Sequence, residues 1–174
     1  MNRAVFLDRD GVINQAVIRD GRPYPPPSLE AMTLLPGVGE ATQALHQAGF
    51  RLIVVTNQPD VATGIQTQAV VEAMHDRLRQ TLPIDDIRVC YHTDKDNCSC
   101  RKPKPGMLLQ AATEWLIDLG QSFMVGDRWR DIEAGRAAGC KTILIRNTYQ
   151  ERQAEPDVVV HSLLEASSWI LSGN

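Results

Sequence analysis

Six short runs of apolar and mostly β-branched residues constrain the fold most, because stretches with the spacing of amphipathic helices separate them. Strands buried on both faces have nearly continuous apolar sequences, and strands that alternate with helices form parallel sheets. The runs are Ala4–Leu7, Leu52–Val55, Ile87–Tyr91, Phe123–Val125, Thr142–Ile145 and Val158–Val160. With 174 residues, 43% of them hydrophobic, the chain has the size of one domain. We therefore predict an α/β fold with a Rossmann-like, doubly wound parallel sheet over residues 1–174.

Local signals predict the helices and one long connection. Pro36 and Gly49 bracket a helix over residues 37–48, and Thr67 is a candidate N-cap for a second helix. The apolar stripe of that second helix is Val70, Val71, Met74, Leu78 and Leu82. Residues 14–35 contain four prolines and predict an irregular loop, and loops of this length usually have a function. We expect solvated positions for three histidines without ligand-like neighbours, His46, His75 and His161.

Charge and hydropathy argue against two classes of partner. The formal net charge is −3, and the 18 basic and 21 acidic residues are well mixed, which gives no basic surface for nucleic acid. No window approaches the roughly 20 apolar residues of a membrane span. The first three residues lead directly into an apolar run of strand type rather than into a signal-peptide segment. We expect a cytoplasmic monomer without nucleic-acid or membrane partners.

Polar side chains occur at the ends of four predicted strands. In open parallel sheets, ligands bind beyond the carboxyl ends of the strands. The residues are Asp8 and Asp10 after the first run, Thr56 and Asn57 after the second, Cys90 and His92 at the third, and Asp127 after the fourth. We therefore expect the functional site at this edge of the sheet.

The carboxylates of the turn Asp8-Arg9-Asp10-Gly11 predict metal-assisted phosphoryl transfer. Crowded anions are costly without a cation, and Mg²⁺ held by Asp8, Asp127 and a backbone carbonyl near Asp10 would offset their repulsion. Asp8 could then attack phosphorus as a nucleophile. Asp10, two residues on, is placed to protonate the leaving alkoxide and later to deprotonate the hydrolytic water.

Three further groups are candidate ligands of the transferred phosphoryl group, because phosphoryl transfer depends mostly on positioning and charge stabilisation. They are the Thr56 hydroxyl, the Asn57 backbone N–H and the Lys102 ammonium. Asp131 has two possible roles of equal weight. One is structural, in which it orients Lys102 or caps the following helix, and the other is metal binding.

A second metal site is indicated by Cys90-x-His92-x₅-Cys98-x-Cys100, which supplies three sulfurs and one imidazole. This set fills a tetrahedral structural zinc site and leaves no position for a catalytic water. We expect the zinc loop, residues 90–100, to order the segment immediately before the phosphate-binding lysine.

These motifs, in this order, resemble the haloacid dehalogenase (HAD) superfamily of phosphatases. The matching segments are Asp8-x-Asp10-Gly11, Thr56 at a strand end, Lys102-Pro103-Lys104-Pro105 and Gly126-Asp127-x-x-x-Asp131. The resemblance covers residues 4–146 and implies that superfamily's Rossmann-like sheet. No segment is long enough for a large cap domain, so we expect an open site.

The zinc loop, followed by Arg101 and Lys102, resembles the branch of the superfamily that contains heptose-bisphosphate and histidinol-phosphate phosphatases. The resemblance implies that the substrate is bound by Asn57, Gln58, Arg101 and Arg128. Arg128 matches a basic substrate-binding position in the heptose enzymes, where a guanidinium could bind a second phosphate bidentately.

Among substrates we favour a small sugar bisphosphate, with loss of the 7-phosphate of D-glycero-D-manno-heptose 1,7-bisphosphate in lipopolysaccharide precursor synthesis. The alternatives are histidinol phosphate, another small sugar phosphate, and a non-catalytic zinc-bearing binding protein. Two segments that we expect to face the substrate depart from the heptose enzymes: residues 14–35, and Pro59–Gly64 where those enzymes typically have Ser-Gly-Ile-Ala-Arg-Gly.

Overall fold

The computed structural model describes residues 1–173 and contains one six-stranded parallel sheet with helices on both faces. Asn174, the end of the predicted single domain, lies outside the described residues. In chain order the elements are β1 (Arg3–Leu7), β2 (Val17–Arg19), β3 (Arg22–Tyr24), α1 (Val38–Gln47), β4 (Phe50–Asn57), α2 (Gln68–Thr81), β5 (Asp86–Cys90), α3 (Gly106–Trp115), β6 (Phe123–Gly126), α4 (Trp129–Ala138), β7 (Lys141–Ile145), β8 (Val158–Val160) and α5 (Leu163–Leu171).

The sheet has the strand order β5-β4-β1-β6-β7-β8, and every neighbouring pair is parallel. All six predicted strands are confirmed. In β1, Val5 and Leu7 face one core cluster, and Ala4 and Phe6 face the other, as the two-residue period of a strand requires. Helices α1, α2 and α5 cover the first cluster, and α3 and α4 cover the second. The fold is therefore the doubly wound type.

Helix α2 begins where its sequence indicates. The Thr67 hydroxyl accepts a hydrogen bond of 3.3 Å from the backbone N–H of Val70 and so acts as the N-cap. The expectation of a solvated His75 is wrong, because its side chain is only 2% exposed. His75 lies four residues after Val71 and three before Leu78, and this spacing places it on the buried face of the helix.

Residues 14–35 are not wholly irregular, because they contain the antiparallel hairpin β2–β3. Arg19 pairs with Arg22 across Asp20 and Gly21, whose φ angles are 48° and 72°. Two central residues with positive φ form the tight turn that Asp-Gly favours between strands. Pro23 obscured this signal, since proline lacks the N–H of a regular ladder and is rare inside strands.

The sheet order brings three of the predicted motifs together. Strand β1 lies between β4 and β6; the chain runs from β1 through β4 to β5 on one side and then crosses to β6 on the other side. The carboxyl ends of these strands therefore border a crevice, which is where ligands bind in such sheets. Within residues 1–173, no helix is both long and apolar enough to cross a membrane.

Candidate active site

Three carboxylates converge where β1 and β6 end. Asp8 follows β1, Asp127 follows β6, and Asp131 lies in the first turn of α4. One carboxylate oxygen of each lies within 4.8 Å of the other two, and all three residues are at most 8% exposed. Buried anions this close repel one another, so the group requires compensating positive charge.

Lys102 supplies part of that charge. Its Nζ donates to Asp8 Oδ1 at 2.9 Å, to Asp131 Oδ1 at 2.6 Å and to the carbonyl oxygen of Val55 at 2.7 Å. Burial by itself would lower the pKa of this ammonium, but Asp131 and Asp8 beside it keep the pKa raised. The side chain of Asn57 bonds both the main-chain N–H and the carbonyl of Lys102 at 3.1 Å. Asn57 therefore fixes the backbone that carries this lysine.

Both oxygens of Asp131 have protein partners. Oδ1 accepts from Lys102, and Oδ2 accepts from the backbone N–H of Arg128 at 3.0 Å, which caps the start of α4. Of the two alternatives for Asp131, these contacts favour orientation of Lys102 and helix capping.

The negative charge that remains fits a hard cation. Burial and the neighbouring Asp131 raise the pKa of Asp8 to about 6, and burial and Asp8 raise the pKa of Asp127 well above its usual value. Oδ1 of Asp127 is buried and has no hydrogen-bond partner among residues 1–173. Carboxylate oxygens are the ligands that Mg²⁺ prefers. The residues present therefore fit a Mg²⁺ ion.

Asp127 also has three neighbours that we did not predict from the sequence. The Tyr149 hydroxyl donates to Asp127 Oδ2 at 2.5 Å, and the Asn147 side chain donates to the Asp127 carbonyl oxygen. Gly11, with a φ of 88°, lies so close that a Cβ at this position would overlap Oδ2. Tyr149 is 22 residues from Asp127 in an irregular segment, and no motif in the sequence marked it.

The carboxylate of Asp10 is held by three side chains. Arg9 donates to both oxygens at 3.0–3.2 Å, Asn14 Nδ2 donates to Oδ1 at 2.9 Å, and Gln58 Nε2 donates to Oδ2 at 2.9 Å. Arg9 has no exposed surface, and its Nη1 lies 3.1 Å from Nε2 of His75. The proposed general acid is therefore fixed from inside the protein, by residues that the sequence did not single out for this role.

Thr56 and Gln58 are linked to each other and to this carboxylate. Gln58 Nε2 donates to the Thr56 hydroxyl oxygen at 2.9 Å as well as to Asp10. Thr56 and Gln58 are both 1% exposed, but Thr56 borders the cavity above Asp8 and Gln58 does not. Its amide group faces Asp10, and its substrate-binding role stays a prediction.

The cavity above Asp8 and Asp10 has a basic wall. Strand β3 contributes Arg22 and Tyr24 to its lining, and Asp60 contributes a carboxylate. Five cationic residues border the cavity: Arg22, Arg101, Lys102, Arg128 and Arg130. A site of this composition can bind a ligand with more than one phosphate group.

Acidic neighbours orient three of these arginines. Arg128 donates two hydrogen bonds to Glu151, at 2.7 and 3.0 Å. Arg101 and Arg130 both donate to Asp94, at distances of 2.9–3.2 Å. From the sequence we assigned Arg101 and Arg128 to substrate binding, so Arg130 was missed. The available signal was its position, one residue after the residue at which α4 begins.

The four zinc-loop side chains converge as predicted. Sγ of Cys100 lies 2.9 Å from Sγ of Cys90 and 3.4 Å from that of Cys98, and His92 Nδ1 lies 3.3 Å from it. Tetrahedral zinc with bonds of about 2.3 Å separates sulfurs by roughly 3.8 Å. Cys90 and Cys98 already have this spacing, at 3.7 Å, whereas the shorter separations from Cys100 would lengthen on zinc binding. The three cysteines form no disulfide, and three thiols with one imidazole are a donor set that zinc takes.

Comparison with known proteins identifies the family. A HAD-hydrolase-like family model matches residues 99–166. The D-glycero-beta-D-manno-heptose-1,7-bisphosphate 7-phosphatase of Pseudomonas aeruginosa is 41% identical over 152 residues, which cover 84% of this chain and 83% of that protein. The enzyme of the same name from Helicobacter pylori is 34% identical over 175 residues, or 97% of each chain.

Solved structures agree with this result. The D,D-heptose 1,7-bisphosphate phosphatase of Bordetella bronchiseptica, complexed with magnesium and phosphate, superposes with a TM-score of 0.84 at 33% identity and covers 99% of both chains. The predicted superfamily, fold and phosphatase activity are thereby confirmed. The chain belongs to the family of D-glycero-D-manno-heptose-1,7-bisphosphate 7-phosphatases within the HAD superfamily.

Proposed function

We propose that the chain removes the 7-phosphate of D-glycero-D-manno-heptose 1,7-bisphosphate in lipopolysaccharide precursor synthesis, through an aspartyl-phosphate on Asp8. One observation carries the mechanism: Asp8 borders the cavity, accepts a hydrogen bond from Lys102, and has a carboxylate oxygen within 4.8 Å of one of Asp127. The relatives named for this activity support the substrate. A small phosphorylated sugar also suits a cavity with several arginines.

The reaction has two steps on Asp8. First, a carboxylate oxygen of Asp8 forms a bond to phosphorus while the bond to the sugar oxygen breaks, and Asp10 gives its proton to that oxygen. Then water attacks the phosphorus of the aspartyl-phosphate, Asp10 takes a proton from the water, and phosphate leaves. Asp8 and Asp10 thereby return to their starting protonation states.

Charge on the transferred group needs stabilisation at both steps. Mg²⁺ held by Asp8, Asp127 and a backbone carbonyl near Asp10 would offset the negative charge of the phosphoryl oxygens. Lys102 contributes a fixed cation, already bonded to Asp8, and Thr56 contributes a hydroxyl at the cavity wall. These groups are preorganised, so little rearrangement is required in the transition state.

We assign substrate recognition to arginines among the five cationic residues that border the cavity. Arg101 and Arg128 keep the roles that the resemblance implied, and Arg130 joins them because it borders the same cavity. The second phosphate of a bisphosphate would replace some of the contacts that Asp94 and Glu151 now make with these guanidinium groups.

Zinc is proposed as a structural ion bound by Cys90, His92, Cys98 and Cys100, which fill all four tetrahedral positions. Free thiols that bind zinc suit a reducing compartment, which supports the proposed cytoplasmic location. The ion would fix the segment that leads into Arg101.

The test compares substrates and one variant. Phosphate release with Mg²⁺ should be measured for heptose 1,7-bisphosphate, fructose 1,6-bisphosphate and histidinol phosphate, and kcat/KM reported for each. We expect the heptose bisphosphate to have the highest value, and a preference for histidinol phosphate would refute the substrate. Asp8→Asn should abolish turnover of all three, and full activity of this variant would refute the covalent mechanism.

A further inference from the structure

A line of buried polar contacts runs from the proposed general acid into helix α2. Asp10 accepts from Arg9 at both carboxylate oxygens, and Arg9 Nη1 lies 3.1 Å from Nε2 of His75. Arg9 is fully buried and His75 is 2% exposed, so water does not replace these contacts readily. His75 itself does not border the cavity.

The contact between Arg9 and His75 fixes the state of the imidazole. A guanidinium has only donors, so Nε2 of His75 must accept and the ring must be neutral, with its proton on Nδ1. Burial, together with the positive charges of Arg9 and Arg79, lowers the pKa of His75 to about 3, which agrees with a neutral ring near pH 7. His75 is therefore an acceptor for Arg9 near neutral pH.

We infer that His75 is a positioning residue for proton transfer: it holds the Arg9 guanidinium, which in turn holds the Asp10 carboxyl group against the leaving oxygen of the substrate. This inference rests on the acid–base role of Asp10 in the proposed function. Without the imidazole, Nη1 of Arg9 would be buried without its acceptor, and the guanidinium would shift. Asp10 would shift with it, because Arg9 donates to both of its oxygens.

A proton donor matters only for a leaving group that needs the proton. A sugar alkoxide is strongly basic and must be protonated as it departs, whereas p-nitrophenolate departs without protonation. The ratio of kcat/KM for fructose 1,6-bisphosphate to kcat/KM for p-nitrophenyl phosphate therefore measures the contribution of the acid. A general loss of folding or of phosphate binding would lower both values equally.

The variants are His75→Leu, which removes the acceptor, and His75→Gln, whose Oε1 can accept at about the position of Nε2. In His75→Leu we expect kcat/KM for fructose 1,6-bisphosphate to fall by about 10-fold or more, and that for p-nitrophenyl phosphate by less than about 3-fold. His75→Gln should recover most of the loss. Thermal melts of each variant monitor folding independently of activity.

Two reference variants separate the possible failures. Asp10→Asn should show the same selective loss as His75→Leu, only larger, and Asp8→Asn should lose both activities. If Asp10→Asn is selective but His75→Leu lowers both substrates equally or neither, the positioning role is overturned while the proposed function stands. If Asp10→Asn shows no selectivity, the acid role of Asp10 fails, and the role of His75 fails with it.

Discussion

The hydroxyl of Tyr149 donates a hydrogen bond of 2.5 Å to Oδ2 of Asp127, and Oδ1 of the same carboxylate has no partner among residues 1–173. One oxygen is thus tied to the protein and the other is left for a ligand. Partners of this kind orient metal-binding carboxylates and strengthen metal binding. Tyr149 therefore presets the direction in which Asp127 offers its oxygen to Mg²⁺.

Tyr149→Phe removes this hydrogen bond and leaves the aromatic ring. We expect the affinity of the metal-free protein for Mg²⁺ to fall by about 10-fold, because the carboxylate can then rotate away from the ion. Isothermal titration with MgCl₂ measures this directly. Tyr24→Phe is the control, because Tyr24 borders the cavity without contacting Asp127. Equal affinities of Tyr149→Phe and the parent would contradict the assignment.

Lys102→Met should destabilise the metal-free protein. The substitution leaves the buried carboxylates of Asp8 and Asp131 without their shared cation, and loss of one partner from a buried ion pair costs about 3–5 kcal/mol. Urea unfolding without Mg²⁺ should show this loss, and saturating Mg²⁺ should restore part of it. Lys95→Met changes an exposed lysine and should leave the free energy of unfolding unchanged. Phosphatase activity should be lost only in Lys102→Met.

Gly11→Ala tests the close approach of the first turn to Asp127. Its φ of 88° strains any other residue, and the added Cβ would also overlap Asp127 Oδ2. Gly49→Ala separates the two effects, because Gly49 has a φ of 86° and a Cβ there would meet nothing within 4 Å among residues 1–173 beyond its chain neighbours. We expect both variants to lose about 1–2 kcal/mol of stability through backbone strain. Only Gly11→Ala should lose Mg²⁺ binding and activity, and retention of both would show that this contact is not needed.

The sequence was sufficient for the sheet and for the residues that follow its strands. Continuous apolar runs identify buried strands, and parallel strands place the residues after them at one edge, so the approach of Asp8 to Asp127 could be predicted without coordinates. The zinc ligands were equally accessible, because Cys98 and Cys100 lie in the same short segment as Cys90. For the carboxylates the information is the position after a strand, and for the zinc ligands it is the short spacing along the chain.

Contacts made by side chains that do not follow a strand could not be predicted in this way. Tyr149 reaches Asp127 from a loop that lacks regular structure, and a single tyrosine in a polar segment gives no periodic signal. The spacing of His75 did indicate burial, since it shares a helix face with Val71 and Leu78. We predicted a solvated position because we gave the polarity of its side chain more weight than this spacing. The hairpin turn at Asp20 and Gly21 was not predicted, because the prolines that follow it indicated an irregular loop.

The neutral His75 should make stability depend on pH. Its pKa is about 3 in the folded protein and near 6.5 when unfolded, so the unfolded chain binds more protons and stability rises with pH in this range. The contribution of neutral His75 to the free energy of unfolding is fully present above about pH 6.5 and is lost as the pH falls towards 3. Between pH 7 and pH 5 the parent should lose about 2 kcal/mol more than His75→Gln. Urea unfolding of both proteins at the two pH values measures this difference, and parallel pH profiles would contradict it.

Zinc removal should impair folding and catalysis together. Cys98→Ser removes one ligand at a partly exposed position, whereas Cys140→Ser changes a buried thiol outside the cluster. Elemental analysis should find about one zinc per chain in Cys140→Ser and none in Cys98→Ser. Without zinc we expect Tm to fall by about 5–10 °C, which corresponds to roughly 2–3 kcal/mol for a chain of this size.

The catalytic effect follows from the position of the zinc loop in the chain. Cys100 is joined through Arg101 to Lys102, whose Nζ lies 2.9 Å from Asp8 Oδ1, and a displacement of about 1 Å in such a group can cost 100-fold in rate. We therefore expect kcat of Cys98→Ser to fall by about 100-fold at saturating Mg²⁺. Assays should be run well below the lowered Tm, so that unfolding does not contribute. A zinc-free protein with full kcat would show that the loop holds Arg101 and Lys102 in place without the ion.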